Sequence, residues 1–102
     1  MNKFRNVKTE VDNITFHSKR EADRYCELKM LLNARQISNL VLQKEYELRV
    51  NGVLICRYIA DFAYLDHDGR EVVEDSKGFR TREFAMKSKL MIAVHGIRVQ
   101  EV

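Results

Sequence analysis

The chain has 102 residues, with 18 Lys+Arg against 15 Asp+Glu, a formal charge of +3 and 45% hydrophobic residues. That describes one domain with enough apolar material for a core, and excludes both intrinsic disorder and a two-domain layout. No apolar run approaches the ~18 residues that span a bilayer, no signal-peptide core is visible, and with no proline and four glycines there is neither a linker nor a glycine-rich phosphate loop.

Two cysteines, Cys26 and Cys56, are expected in apolar surroundings. They cannot form a disulfide framework, so a reducing, cytoplasmic compartment is expected.

Residues 10–17 read as a short strand or extended arm anchored by Val11, Ile14 and Phe16. Ser18-Lys19-Arg20-Glu21 is a capping box, which starts a helix from Lys19 to about Arg35. Positions 21, 25, 28 and 32 share one face of that helix, so Glu21 lies in line with Tyr25, Leu28 and Leu32. Residues 41–50 alternate as a strand, with Leu42, Tyr46, Leu48 and Val50 on one face and Lys44 interrupting it. Asn51-Gly52 supplies the two positive φ angles of a tight hairpin. A second strand over 53–65 is apolar on both faces, as a central strand should be. A third covers roughly 70–77. Thr81 caps a second helix over about 82–95, whose stripe is Phe84, Met91 and Val94 and whose Gly96 suits the left-handed residue past the end. Residues 97–99 form a last short strand. The expected fold is α/β, ordered α-β-β-β-α-β, with a mixed central sheet flanked by helices. Residues 1–17 are the arm and residues 18–102 the core of a single domain.

The small net charge is unevenly spread. Residues 1–20 hold five basic and two acidic side chains, residues 21–76 seven and eleven, and residues 77–98 six and one. An acidic middle between basic ends suits a metal ion acting on a polyanion.

Asp75 and Lys77 lie two apart on a strand, hence on one face. Asp61 lies on the preceding strand, and the turn between them decides which way it points. A three-residue loop, His67-Asp68-Gly69, pairs Asp66 with Arg70 and sets Asp61 directly opposite Asp75. A two-residue Asp68-Gly69 turn opposes Asp61 to Ser76 and moves Asp75 to the other face. Under the first register two carboxylates have Cβ atoms roughly 4.5 to 5.5 Å apart, an arrangement a sheet avoids unless a cation sits between them. Oxygen donors without a Cys/His cluster favour Mg²⁺ or Mn²⁺ over zinc. Lys77, on the same face, is placed to orient water or stabilise developing phosphate charge. The capping box by itself accounts for Glu21. Its place on the apolar face also allows it to reach this site.

The set Glu21, Asp61, Asp75-Ser76-Lys77 in this element order resembles the PD-(D/E)xK nuclease superfamily. More closely, Ile14 to Ala22, Ile37-Ser38-Asn39-Leu40 with Leu42-Gln43, Tyr58 to Phe62, and Val73 to Gly78 with Thr81 and Lys87 resemble small phage-encoded endonucleases related to Holliday junction resolvases. Ala60 stands where the superfamily's name has proline.

The resemblance implies a catalytic core of Asp61, Asp75 and Lys77 completed by Glu21, with Asp61, Asp75 and Glu21 as ligands of Mg²⁺ or Mn²⁺. It implies cleavage of branched DNA to leave a 5′-phosphate, and a homodimer working in the host cytoplasm. Gln43 would support the site. Lys19, Arg80, Arg82, Lys87 and Lys89 would contact DNA phosphates. The alternatives are a site-specific duplex endonuclease of restriction or homing type, and an inactive DNA-binding protein of the same fold. His17, His67 and His95 are scattered and take no role.

Overall fold

The computed structural model describes residues 8–76 and 81–102. The chain begins not with a single strand or loose arm but with a hairpin, β1 (Thr9–Val11) paired antiparallel to β2 (Ile14–Phe16). Its turn is Asp12-Asn13, both left-handed (φ 53 and 64). Asp and Asn tolerate that region because their short polar side chains bond locally, so the turn forms without glycine. The Tyr25 hydroxyl donates to Asp12 at 2.8 Å and the Phe16 and Tyr25 rings lie 5.1 Å apart, which fastens the hairpin to the first helix.

That helix, α1 (Lys19–Asn33), starts where the capping box puts it: Ser18 Oγ accepts the Glu21 N–H at 3.1 Å. It ends two residues short of Arg35. Arg35 itself is left-handed (φ 61), its N–H bonds to Leu32 O and that of Gln36 to Leu31 O, which closes the last turn with arginine where glycine is usual. Glu21, Ala22, Tyr25 and Leu28 form its buried face.

A four-stranded sheet follows in the order β3 (Ser38–Val50), β4 (Val53–Leu65), β5 (Glu71–Asp75), β6 (Gln100–Glu101). β3, β4 and β5 are antiparallel neighbours and β6 runs parallel to β5, so the sheet is mixed. β3 begins three residues earlier than the alternation suggests. The last strand is displaced from 97–99 to 100–101, because residues 97 and 99 pack their side chains into the core instead. Asn51 (φ 52) and Gly52 (φ 80) make the expected β3–β4 turn between paired Val50 and Val53.

The β4–β5 turn takes the three-residue form. Asp66 N–H bonds to Arg70 O and Gly69 N–H to Asp66 O, each at 2.9 Å, and Gly69 is left-handed (φ 80). Asp66 Oδ1 also accepts the N–H groups of Asp68 and Arg70. These backbone donors, Arg70's above all, hold its carboxyl below the ordinary value.

The second helix, α2 (Arg82–Leu90), is capped by Thr81 Oγ1, which accepts the Phe84 N–H at 3.0 Å. It passes into a single π-helical turn, Met91–His95, and ends at left-handed Gly96. Adjacent strand residues point to opposite faces, and the core divides accordingly. Ala63 and Val73 lie with Tyr46, Leu48, Tyr58 and Ala60 against Phe84 and Met91; Phe62 and Tyr64 lie with Phe16, Tyr25 and Leu28 under α1.

Leu42 belongs with the α1 cluster, so it does not share a face with Tyr46 and Leu48 as strict alternation requires. The exchange happens at Gln43, whose φ is 54. On the partner strand it happens at Asp61, between Ala60 and Phe62. Lys44 is accommodated on the α2 side, bonded to Glu71 at 3.0 Å with its ammonium 5.1 Å from the Tyr46 ring centroid. Val50 is exposed, and so is Cys26, contrary to the apolar setting expected for it; Cys56 is half-buried and free. Among the described residues no helix is long and apolar enough to cross a membrane.

Candidate metal centre and its surroundings

The three expected metal ligands come from three different elements, Asp61 from β4, Asp75 from β5 and Glu21 from α1. The β4–β5 register runs Leu65–Glu71, Tyr64–Val72, Ala63–Val73, Phe62–Glu74. One step further sets Asp61 opposite Asp75. Asp61 Oδ2 accepts the Ser76 N–H at 2.8 Å, which holds its side chain against the exit of β5. Asp75 is 1% exposed. Its backbone carbonyl accepts the Val102 N–H at 3.1 Å from beyond β6, and its Oδ2 accepts the Tyr58 hydroxyl. Burial raises the Tyr58 hydroxyl's pKa first, and the bond to Asp75 and the charges of Asp75 and Asp61 add to the rise. Both aspartates therefore act on one buried phenol.

Glu21 comes from the first turn of α1 and is 6% exposed. Its backbone completes the cap while its carboxylate meets Gln43, whose Nε2 lies 3.4 Å from Glu21 Oε2 and 3.3 Å from Asp61 Oδ1. Glu74 is engaged elsewhere. It stands opposite Phe62 on the α1 side, where Arg24 grips it through Nε (2.8 Å) and Nη2 (2.7 Å) and the Tyr64 hydroxyl donates to it. Burial first, and then that bond, push the Tyr64 hydroxyl up to about 12. Glu74 likewise keeps Arg24 firmly charged.

Carboxylate oxygens without sulfur or imidazole suit a hard divalent cation such as Mg²⁺ or Mn²⁺. Among the described residues no group of three His, Cys, Asp or Glu side chains is arranged to hold a metal ion. Glu21 and Asp61 are joined through Gln43, and Asp75 is engaged with Tyr58. The donor types suit such a cation, but among the described residues the three side chains are not gathered into a group that could hold one.

Lys77, expected to complete the core, and Arg80 and Gly78 lie outside the described residues. Lys19 is exposed and paired with Asp23 at 2.9 Å, and Lys87 is paired with Glu83 at 3.0 Å. An exposed helix pair such as Lys19–Asp23 is worth only about 0.3–0.5 kcal/mol, so a phosphate can displace it. Lys19 also lines an open groove of about 430 Å³ with Arg20, Asp23, Arg24, Glu27 and Val102. Lys87 lines a smaller one, of about 220 Å³, with Tyr58 and Thr81. Val102, lining the first, donates its N–H to the Asp75 carbonyl, and Tyr58, lining the second, donates its hydroxyl to the Asp75 carboxylate. Arg82 and Lys89 are exposed on α2. His95 bonds to Glu47 O at 2.8 Å.

The residue reading missed Tyr58 and the Arg24–Glu74–Tyr64 cluster. A signal for Tyr58 existed: a tyrosine on the apolar face of a central strand must find a partner for its hydroxyl. Arg24 and Glu74 are fifty positions apart, and nothing local joins them.

No curated protein and no solved structure matches the chain. A family profile described as protein of unknown function (DUF1064) matches residues 1–98, nearly the whole sequence, and the chain belongs to that family.

Proposed function

We propose that the protein is a metal-dependent endodeoxyribonuclease of the PD-(D/E)xK type that hydrolyses phosphodiester bonds in branched DNA. The observation that carries this reading is the Asp61–Ser76 bond at 2.8 Å, which brings a β4 carboxylate to the last residue of β5, Asp75, and so to the segment that leads into Lys77. Asp61 and Asp75 would hold the cation, and Glu21 would complete the acidic set from α1. A bound Mg²⁺ or Mn²⁺ supplies charge neutralisation and an activated water. The chain's own groups do the rest. The Ser76 N–H fixes the Asp61 carboxylate, Tyr58 fixes that of Asp75, and Lys19, Arg80, Arg82, Lys87 and Lys89 engage DNA phosphates. Lys77 stabilises charge developing on the phosphate.

Cutting both strands of a symmetric junction takes two centres related by a two-fold axis, so the working form is a homodimer. Val53, Ile55 and Ile59 on the outer face of β4, each more than half exposed, offer apolar surface for the second copy to cover. Such an enzyme acts in the host cytoplasm.

The test incubates the protein with a labelled four-way junction, a linear duplex of the same sequence and a single strand, with Mg²⁺ or with chelator. Junction cleavage is expected in Mg²⁺ alone. Asp61→Ala, Asp75→Ala and Lys77→Ala should each reduce it at least about 100-fold while junction binding persists. Cleavage in excess chelator refutes the metal mechanism, and preference for the duplex makes the protein a site-specific endonuclease. Salt-sensitive binding without turnover leaves only a DNA-binding fold.

A further inference from the structure

Arg24, Arg49 and Arg57 are each held by a glutamate. Arg70 and Arg98 are exposed and pair with no carboxylate among the described residues, yet both line one open groove of about 520 Å³. It lies between the start of β5, the end of the π-helical turn and the segment that enters β6. Each guanidinium stands on a pinned backbone. The Arg70 N–H donates to Asp66 Oδ1 and its carbonyl accepts the Asp66 N–H, both at 2.9 Å. Arg98 sits between Ile97 and Val99, whose side chains pack on the cluster of Phe84 and Met91. A ligand that engages these arginines therefore has only side-chain freedom left to restrict.

The rest of the lining leaves their charge unopposed. Glu71 is the acid that lines the groove among the described residues, and it accepts from Lys44 at 3.0 Å and from the Tyr46 hydroxyl, so a third cation offsets it. His95 forms part of the wall, with its Nε2 2.8 Å from Glu47 O and its ring edge-on to Tyr46 at 5.5 Å. Gln100, exposed on β6, adds a neutral amide donor. The end of a helix favours a nearby cation, which by itself accounts for Arg98. Arg70 arrives from the β4–β5 turn, and the helix does not account for it.

We infer that Arg70 and Arg98 form a phosphate-binding groove that takes the phosphodiester backbone of a duplex arm of the DNA. Guanidinium forks on two separate segments, beside an amide and in an open groove, suit a chain of anionic oxygens better than an enclosed base. β5, five residues long, separates Arg70 from the segment beyond Asp75, a span of about 17 Å. One turn of duplex, about 34 Å, covers both ends. The choice of DNA as occupant rests on the reading above, to which the groove adds two contacts that reading lacks.

The experiment measures binding of a labelled four-way junction and a linear duplex in chelator over a range of salt. One phosphate contact scales affinity as salt concentration to the power of about −0.9, which is about eight-fold at about 0.1 M. Arg70→Gln and Arg98→Gln should each weaken both DNAs by about that factor and lower the salt slope by about 1. The double variant should lose about 60-fold and about 2 in slope. Melting temperatures should stay within about 4 °C of wild type, because both side chains are exposed. Arg49→Gln/Arg57→Gln removes the same net charge from β3 and β4 and should weaken binding less than about two-fold. A loss in the Arg70/Arg98 double variant no greater than in this control overturns the inference. Arg98→Gln that melts lower yet binds as wild type also overturns it, since Arg98 then serves the helix end alone. So does a wild type whose Gly96 and Arg98 amide resonances are unmoved by the linear duplex, a readout that needs no variant. Binding that depends on Arg70 and Arg98 without cleavage of any DNA sustains the groove while removing the nuclease reading. Junction cleavage in Mg²⁺ by a double variant that binds as wild type does the reverse.

Discussion

Arg24→Ala tests how α1, and with it Glu21, is held on the sheet. Glu74 is 2% exposed and the Arg24 side chain 25%, and the guanidinium reaches both carboxylate oxygens at 2.8 and 2.7 Å. Removing the guanidinium leaves an ionised carboxylate under the helix with only the Tyr64 hydroxyl, among the described residues, still bonded to it. Breaking a buried pair in this way costs about 3–5 kcal/mol. Water reaches the quarter-exposed guanidinium, which puts the loss at the low end, about 3 kcal/mol. Against a total of about 5–15 kcal/mol for a domain of this size, that is a large fraction. At about 4–8 °C per kcal/mol it lowers the melting temperature by about 12–24 °C. Urea unfolding followed by circular dichroism measures it directly, with an unchanged m-value expected. The double variant Arg24→Met/Glu74→Leu should recover most of the loss. Neither charge is then buried, and only the Tyr64 hydroxyl is left short of an acceptor, at about 1 kcal/mol. A single-variant loss under about 1 kcal/mol refutes the buried clamp.

Two further outcomes follow from local contacts. Ser18→Ala removes the acceptor of the Glu21 N–H and should cost about 1 kcal/mol in thermal unfolding. Cleavage per folded molecule should not change, whereas Glu21→Gln should lower cleavage with the melting temperature nearly preserved; unchanged cleavage per folded molecule in Glu21→Gln would make Glu21 structural alone. The Tyr46 hydroxyl, and after it Lys44, hold the Glu71 carboxyl below its ordinary value of 4.5. A depressed carboxyl contributes stability that is present above the unfolded pKa and lost as pH falls through the folded one. The stability difference between wild type and Tyr46→Phe should therefore be full at about pH 7 and shrink below about pH 4.5. A difference constant across an acid titration rules out this linkage.

Local chemistry made much of the fold readable from residues alone. Asn51-Gly52 specifies its hairpin, Ser18 and Thr81 announce helix starts, Gly96 marks a helix end, and Gly69 selects the loop that puts Asp61 opposite Asp75. In each case one residue type satisfies a backbone demand that few others meet at low cost. Where the same demand is met by an unusual residue the signal disappears. Asp12-Asn13 turns a hairpin without glycine, so the first two strands read as an arm. Arg35 closes α1 in a left-handed conformation, so the helix reads as two residues longer.

The sequence by itself determined the order of elements from α1 to β6 and narrowed the β4–β5 turn to two registers, because these depend on neighbours in the chain; the structure chose the three-residue loop. Only the tertiary structure decided how the acids are held. The change of face at Gln43 breaks the period of two on which alternation rests. The parallel pairing of β6 with β5, the Tyr58–Asp75 bond and the Arg24–Glu74 clamp join residues far apart in the chain. Such contacts are selected by burial and charge compensation in the folded chain, and no short stretch of sequence encodes them.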